Sequence, residues 1–255
     1  MYTSEGLGLA CRGEPDEHVS RGRSCSGVPL SLLRVLTVFV VVLSVKPVPA
    51  VHADTLTVCE NGSCDYTTIQ DAVGAAFSGD TISLLDAVFT ESGILVDKNV
   101  IIVGGNTAGT IIQAAEAEGE ATDRVLEISS DAEVILEDVT VRHGNVEASP
   151  ARGGGILNYG SLTLKHVTVE ANRAVGLPGD PGGLAEGGGI YTQGDLQIVA
   201  STISANLSQG GKGDIGNDDG GDGEGGGLKA AGGTVRLANS TVSGNTAQGG
   251  AGCGG

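Results

Sequence analysis

The chain has 255 residues, 44 of them glycine, with no tryptophan and only 3% aromatic residues. That length supports a sizeable core in one elongated domain, yet a compact globular core of this size would use more aromatic rings. A formal net charge of -17 excludes the clustered basic surface that nucleic acid or an anionic membrane requires.

Residues 1–27 are polar and glycine-rich, carry Cys11 and Cys25, and read as a disordered leader. Val28 to Val45 is apolar apart from Arg34 and a few hydroxyls, and Val51-His52-Ala53 puts small residues where a signal peptidase cuts. Residues 28–53 therefore read as an export signal peptide cleaved after Ala53. An uncleaved anchor helix is the alternative, because the run is near spanning length.

Cys59 and Cys64 flank the turn signal Asn61-Gly62. Export favours a disulfide between them, and neither a histidine nor a third cysteine stands nearby to make a zinc site. From Tyr66 the apolar period changes. Ile69, Ala72, Val73, Ala76 and Phe77 share one helical face, Thr67 with Gln70 has the form of a capping box, and Gly79 marks the stop. Such a helix would cover the open apolar end of a stacked strand array.

Strands follow: TISLL, AVFTE, ILV, VIIVG and TIIQA. Ala114 to Asp123 is an acidic excursion, and Val125 to Ile128 resumes a strand. Val134, Leu136, Val139, Val141 and Asn145 form a degenerate copy of what comes next. Gly153 to Asn172, Gly187 to Asn206 and Gly225 to Asn245 each begin with a glycine triplet, continue with alternating apolar residues and end in asparagine. Along Leu136, Leu164, Ile198 and Leu237 the steps are 28, 34 and 39 residues. The growth falls in linkers 146–152, 173–186 and 207–224. A unit of about 20 residues cannot bury its own apolar face, so copies must stack. Helix-free strands repeating in this way predict a parallel β-helix. Asn145, Asn172, Asn206 and Asn245 are its expected turn residues, tolerant of left-handed backbone and able to form a hydrogen-bonded ladder.

YTTIQDAV, SGDTISLL, FTESGILVDKNVIIVG and TIIQA, in that order, resemble the N-terminal part of secreted bacterial right-handed β-helix proteins of the pectin-lyase-like fold. The later GGG-to-Asn copies resemble the repeats of polymorphic outer-membrane proteins, with GGG in place of GGA and Val169, Ile203 and Val242 in place of phenylalanine. The resemblance covers about residues 54–255. It implies an all-β, right-handed parallel β-helix solenoid with a short N-terminal capping α-helix. The final AQGGAGCGG falls inside what would be the next glycine linker, so the domain reads as truncated.

Chemistry-bearing motifs are sparse. His143 and His166 have no motif partner and read as turn or surface residues, and GxSxG, HExxH and CxxC patterns do not occur. The linkers hold carboxylates at Asp180, Glu186, Asp214, Asp218, Asp219, Asp222 and Glu224, whose geometry on glycine-rich loops would be loose. The strand faces offer Lys165, Glu170 and Arg236, and the repeats only two tyrosines, Tyr159 and Tyr191. Asp214, Asp218, Asp219, Asp222 and Glu224 form the densest acidic stretch and are the candidate ligands for weak calcium binding; no other cofactor is expected. Sequons at Asn61, Asn206 and Asn239 are explained by turn chemistry. The expected role is an exported or surface-displayed scaffold without catalysis. It would bind an extracellular glycan or a host or matrix protein through its loop-rich flank. The alternative, implied by the fold resemblance alone, is a polysaccharide lyase or glycoside hydrolase.

Overall fold

The computed structural model describes residues 53–105, 109–214 and 219–252. The leader and all of the signal segment except Ala53 lie outside the described residues.

The strands fall into successive coils. The first holds β1 (Thr55–Val58) and α1 (Ile69–Ala75). The second holds β2 (Asp80–Leu84), β3 (Val88–Thr90) and β4 (Ile94–Val96), and the third β5 (Val100–Gly104), β6 (Thr110–Gln113) and β7 (Leu126–Ile128). The fourth is longer: β8 (Glu133–Glu137), β9 (Val139–Arg142), β10 (Asn145–Ala148), β11 (Ala151–Arg152) and β12 (Ile156–Asn158). The fifth repeats it with β13 (Ser161–Lys165), β14 (Thr168–Glu170), β15 (Arg173–Gly176), β16 (Ala185–Glu186) and β17 (Ile190–Thr192). The sixth has β18 (Asp195–Val199), β19 (Thr202–Ser204), β20 (Leu207–Gln209), β21 (Gly223–Glu224) and β22 (Leu228–Ala230). β23 (Val235–Ala238), β24 (Thr241–Ser243) and β25 (Thr246–Gln248) follow.

Each strand pairs in parallel with its counterpart one coil away, giving five stacked sheets. Sheet A runs β1-β2-β5-β8-β13-β18-β23, sheet B β3-β6-β9-β14-β19-β24 and sheet C β4-β7-β12-β17-β22. Sheet D runs β10-β15-β20-β25 and sheet E β11-β16-β21. The chain is thus an all-β parallel β-helix with one short helix ahead of the stack. Leu136, Leu164, Ile198 and Leu237 stand in one column, register for register. The apolar column dictates this pairing, because a slip of one residue would turn every inward side chain outward. Leu136, Leu164 and Ile198 are buried, and Leu237 on the last coil is 48% exposed.

The linkers are not plain loops. Residues 146–152, 173–186 and 207–224 contribute most of the strands of sheets D and E, β25 lying beyond them, so the flank expected to be loose carries two ladders of its own. Sheets A, B and C enclose the main core, which includes Ile94, Ile102, Leu126, Ile156 and Ile190. Sheets D and E enclose a second, thinner core of Val146, Ala151, Ala174 and Ala185. The glycine triplets form the waist between them. A Cβ on Gly155 would lie 2.7 Å from the Gly189 carbonyl oxygen and 2.8 Å from the Asn172 side chain, and Gly189 meets Gly227 and Asn206 in the same way. Only glycine permits this approach.

The asparagine ladder forms on the other side of the waist. Asn172 Nδ2 donates to Asn206 Oδ1, and Asn206 Nδ2 to Asn245 Oδ1, each at 2.9 Å. Two corrections to the sequence reading follow. Asn145 is not the ladder's lower member: it pairs with Arg173, and the residue beneath Asn172 is Gly144, whose N–H donates to Asn172 Oδ1 at 2.9 Å. Nor do the asparagines adopt the left-handed conformation. The residues before Asn172, Asn206 and Asn245 do, at Ala171, Ala205 and Gly244, as does His143 before Gly144 in the degenerate copy, which frees each ladder asparagine to reach its neighbouring coil.

Helix α1 also departs from its expected ends. Its N-cap is Thr68, whose hydroxyl accepts from the Asp71 N–H at 3.1 Å, and not Thr67. Glu91, beyond β3, accepts from the Ile69 and Gln70 N–H groups at 2.8 and 2.9 Å, satisfying donors that a helix start leaves free. The helix stops at Ala75, so Phe77 is 74% exposed and not on the buried face. Ile69, Ala72 and Val73 do pack into the main core. Cys59 and Cys64 form the disulfide, with Cα atoms 5.5 Å apart.

Candidate functional site

Stacking turns isolated sequence positions into continuous columns. At the corner between sheets C and A, Glu133, Ser161 and Asp195 occupy equivalent positions on successive coils. Asn99 precedes them and accepts from the Glu133 N–H at 2.8 Å. Together with Ser130, Asp131 and Tyr159 they line an open groove of about 490 Å³ that runs along the stack as far as Gly233. From Asn99 to the Gly233 coil the groove crosses four steps of ~4.8 Å, a reach of roughly 19 Å. Tyr159 is 36% exposed. One carboxylate oxygen of Asp195 accepts from the Thr234 N–H at 2.7 Å, so this side chain also holds the next coil. The groove therefore offers hydroxyl, amide and carboxylate partners beside one aromatic ring.

A second constellation lies where the outer faces of sheets E and C meet across the waist. Arg152, Glu186 and Glu224 form one column, and Glu127, Leu157, Tyr191 and Lys229 the next. Arg152 Nε donates to Glu186 Oε2 at 2.8 Å, and its guanidinium stacks 5.0 Å above the Tyr191 ring. Hydrogen bonding to Glu186 holds Arg152 above its ordinary pKa. Lys229 bonds Glu224, which raises its pKa likewise, and its Nζ lies 3.8 Å from Glu186. Glu186 and Glu224 thus stand on short in-register strands and not on loose loops. Their charges are already matched, and the network ties three coils together.

The candidate calcium ligands of the stretch 214–224 are only partly described. Asp219 and Asp222 are exposed, Glu224 is bound to Lys229, and Asp218 lies outside the described residues. Asp214 is exposed and the chain there pairs back toward Gly179. Among the described residues, the group of three carboxylate or imidazole ligands that does converge is Glu137, Asp138 and His166, with ligand atoms within 4.8 Å of one another. Asp138 and His166 occupy left-handed corners one coil apart, and His166 Nδ1 lies 3.2 Å from Asp138 Oδ1. One imidazole and two carboxylates suit a divalent transition metal, but Lys165 Nζ, 3.9 Å from Glu137, already competes for that charge. His143 Nδ1 instead lies 3.1 Å from the Ala115 carbonyl oxygen.

Sequence reasoning missed the groove and the Asp138–His166 pair. The signal was present in the steps between copies: Glu133 to Ser161 and Asp138 to His166 are each separated by the first step of 28. Asn206, part of a sequon, is 1% exposed and committed to the ladder, which leaves no room for a glycan in the folded chain. No helix among the described residues is long and apolar enough to cross a membrane. The groove and the ladder-built stack define the class, a parallel β-helix with polar surface columns. Comparison with models of known protein families, with curated proteins and with solved structures gave no match.

Proposed function

We propose that this chain is an exported, non-catalytic β-helix scaffold that binds an extended extracellular glycan along the groove between sheets C and A. The observation that carries the reading is the in-register column Asn99, Glu133, Ser161 and Asp195 beside Tyr159. A linear sugar chain presents hydroxyls at regular intervals, and a repeated polar column meets them at regular intervals. Tyr159 supplies an apolar ring face of the kind that sugar rings stack upon. Export is supported by the apolar run 28–45 and by the Cys59–Cys64 disulfide. The resemblance to pectin-lyase-like proteins and to polymorphic outer-membrane protein repeats agrees with a secreted or surface location. The absence of catalysis rests on commitment of groups: Asn99 and Asp195 each cap a backbone N–H of the neighbouring coil.

One observation favours a second reading. Glu133 and Asp195 stand two rungs apart, which puts their Cα atoms about 9.6 Å from each other. Inverting glycoside hydrolases hold their two carboxyl groups about 6.5–9.5 Å apart, a separation that side chains leaning toward each other across this Cα spacing would reach. The two readings separate in one experiment. The full chain is incubated with linear neutral and acidic polysaccharides, and both binding and new chain ends are measured. Retention of intact polymer, weakened about tenfold by Tyr159→Ala, supports the scaffold. Release of chain ends that stops in Glu133→Gln supports the hydrolase. Neither binding nor cleavage in either polymer class removes both.

A further inference from the structure

Sheet D begins at β10, and the acidic excursion 114–123 meets the edge of that strand at Asn145. Asn145 N–H donates to the Asp123 carbonyl oxygen at 3.1 Å, and Asn145 Nδ2 to the Ala121 carbonyl oxygen at 3.0 Å. The other half of that amide has no partner: Asn145 is 5% exposed, and its Oδ1 is buried and accepts from nothing. A bare buried acceptor is costly. Turning the amide over does not help, since it would sacrifice the bond to Ala121. Asn145 also lines a cavity of about 280 Å³ with Gly119, Glu120, Ala121, Thr122 and Glu147. Glu147 lies two residues along β10, on the same face as Asn145, because Val146 between them belongs to the second core.

Charge decides what fits. Arg173, stacked on Asn145 in the next coil, lies 4.0 Å from Glu118 and is offset by it. Glu120 and Glu147 remain as exposed carboxylates on the wall of the cavity. The residues lining the cavity thus offer an orphan amide oxygen, two carboxylates and a threonine hydroxyl, oxygen donors of the kind that select a hard cation. We infer that this cavity is a calcium site, held by Asn145, Glu120 and Glu147, that fastens the acidic excursion to the edge of sheet D. It is separate from the stretch 214–224 and from the Glu137–Asp138–His166 corner.

The test is a calorimetric titration of calcium chloride into the full chain, with folding followed by circular dichroism. The expected result is a single site in the range of extracellular calcium modules, about 10⁻⁴–10⁻³ M. Glu120→Gln with Glu147→Gln, both at exposed positions, should weaken it at least tenfold while leaving the fold intact. Asp219→Asn with Asp222→Asn should leave it unchanged, and so should Glu137→Gln with His166→Gln. Folded protein that takes up no calcium at ~10 mM, well above that range, would overturn the proposal. So would binding that survives the Glu120/Glu147 pair or disappears with either control pair.

Discussion

Asn172 and Asn206, 34 residues apart in sequence, share a side-chain hydrogen bond of 2.9 Å at the waist of the stack. Asn206 Oδ1 also accepts from the Asn172 backbone N–H at 3.1 Å, and Asn206 Nδ2 reaches the Val169 and Ser204 carbonyl oxygens. One amide thus satisfies backbone on two coils. Asn206→Ala would leave several buried groups bare, and the expected loss is about 3 kcal/mol of unfolding free energy by denaturant titration. Asn245→Ala, on the more open last coil, should cost only about 1 kcal/mol.

The waist makes a matched prediction about glycine. Gly189→Ala would drive a methyl to 2.6 Å from the Gly227 carbonyl oxygen. With backbone on the far side nothing yields cheaply, and a loss of about 1–3 kcal/mol is expected. Gly74 lies inside α1 with open space around it, so Gly74→Ala should stabilise by up to about 1 kcal/mol. Thermal unfolding of the two variants should shift in opposite directions.

Arg152 and Glu186 should be strongly coupled. Arg152→Ala strips the hydrogen-bonded cation from a carboxylate whose side chain is 8% exposed. Lys229 remains 3.8 Å away, so the expected cost is about 2–3 kcal/mol, below the usual price of opening a buried pair. Glu186→Gln in the Arg152→Ala background should restore most of it. A double-mutant cycle on unfolding free energies that shows no coupling would refute this.

Acid sensitivity has one predictable contributor at the start of the stack. Asp65 accepts from the Thr57 hydroxyl at 2.7 Å and from its N–H at 2.9 Å, which holds the carboxyl below its usual range. A value lower in the folded chain means that the contribution is complete above the unfolded value near 3.9 and fades as pH drops through the folded one. The Asp65→Asn variant should therefore be less stable than the natural chain at neutral pH. The two stability curves should converge below about pH 4.

The main core was legible because its signal is carried by side chains. Leu164, Ile198 and Leu237 repeat with a period of two on either side and follow a glycine triplet, and their stacking agrees with the register. Sheets D and E were not legible, since their inward residues are mostly small or polar, such as Ala151, Ala174, Ala185 and Ser208, and the connections between their strands are glycine-rich. Small inward residues leave no strong apolar alternation to read. Asn145 was misplaced by one because the degenerate copy has His143-Gly144 where later copies have Ala171-Asn172. The α1 cap was misplaced by one because Glu91, 22 residues downstream of Ile69, supplies part of it. The groove required knowing which residues stand above which, and Asn99, Glu133, Ser161 and Asp195 share no local motif.

Where the steps between coils lengthen, most of the added residues lie between strands of sheet D and sheet E, at 149–150, then 177–184, then 210–222. Sheets A and B keep an unbroken register throughout. Coil perimeter and axial rise are therefore independent variables in this molecule. Foreign peptides grafted at the exposed Asp180-Pro181 tip would ride outside the waist as passengers, leaving the spacing of the surface columns as it is.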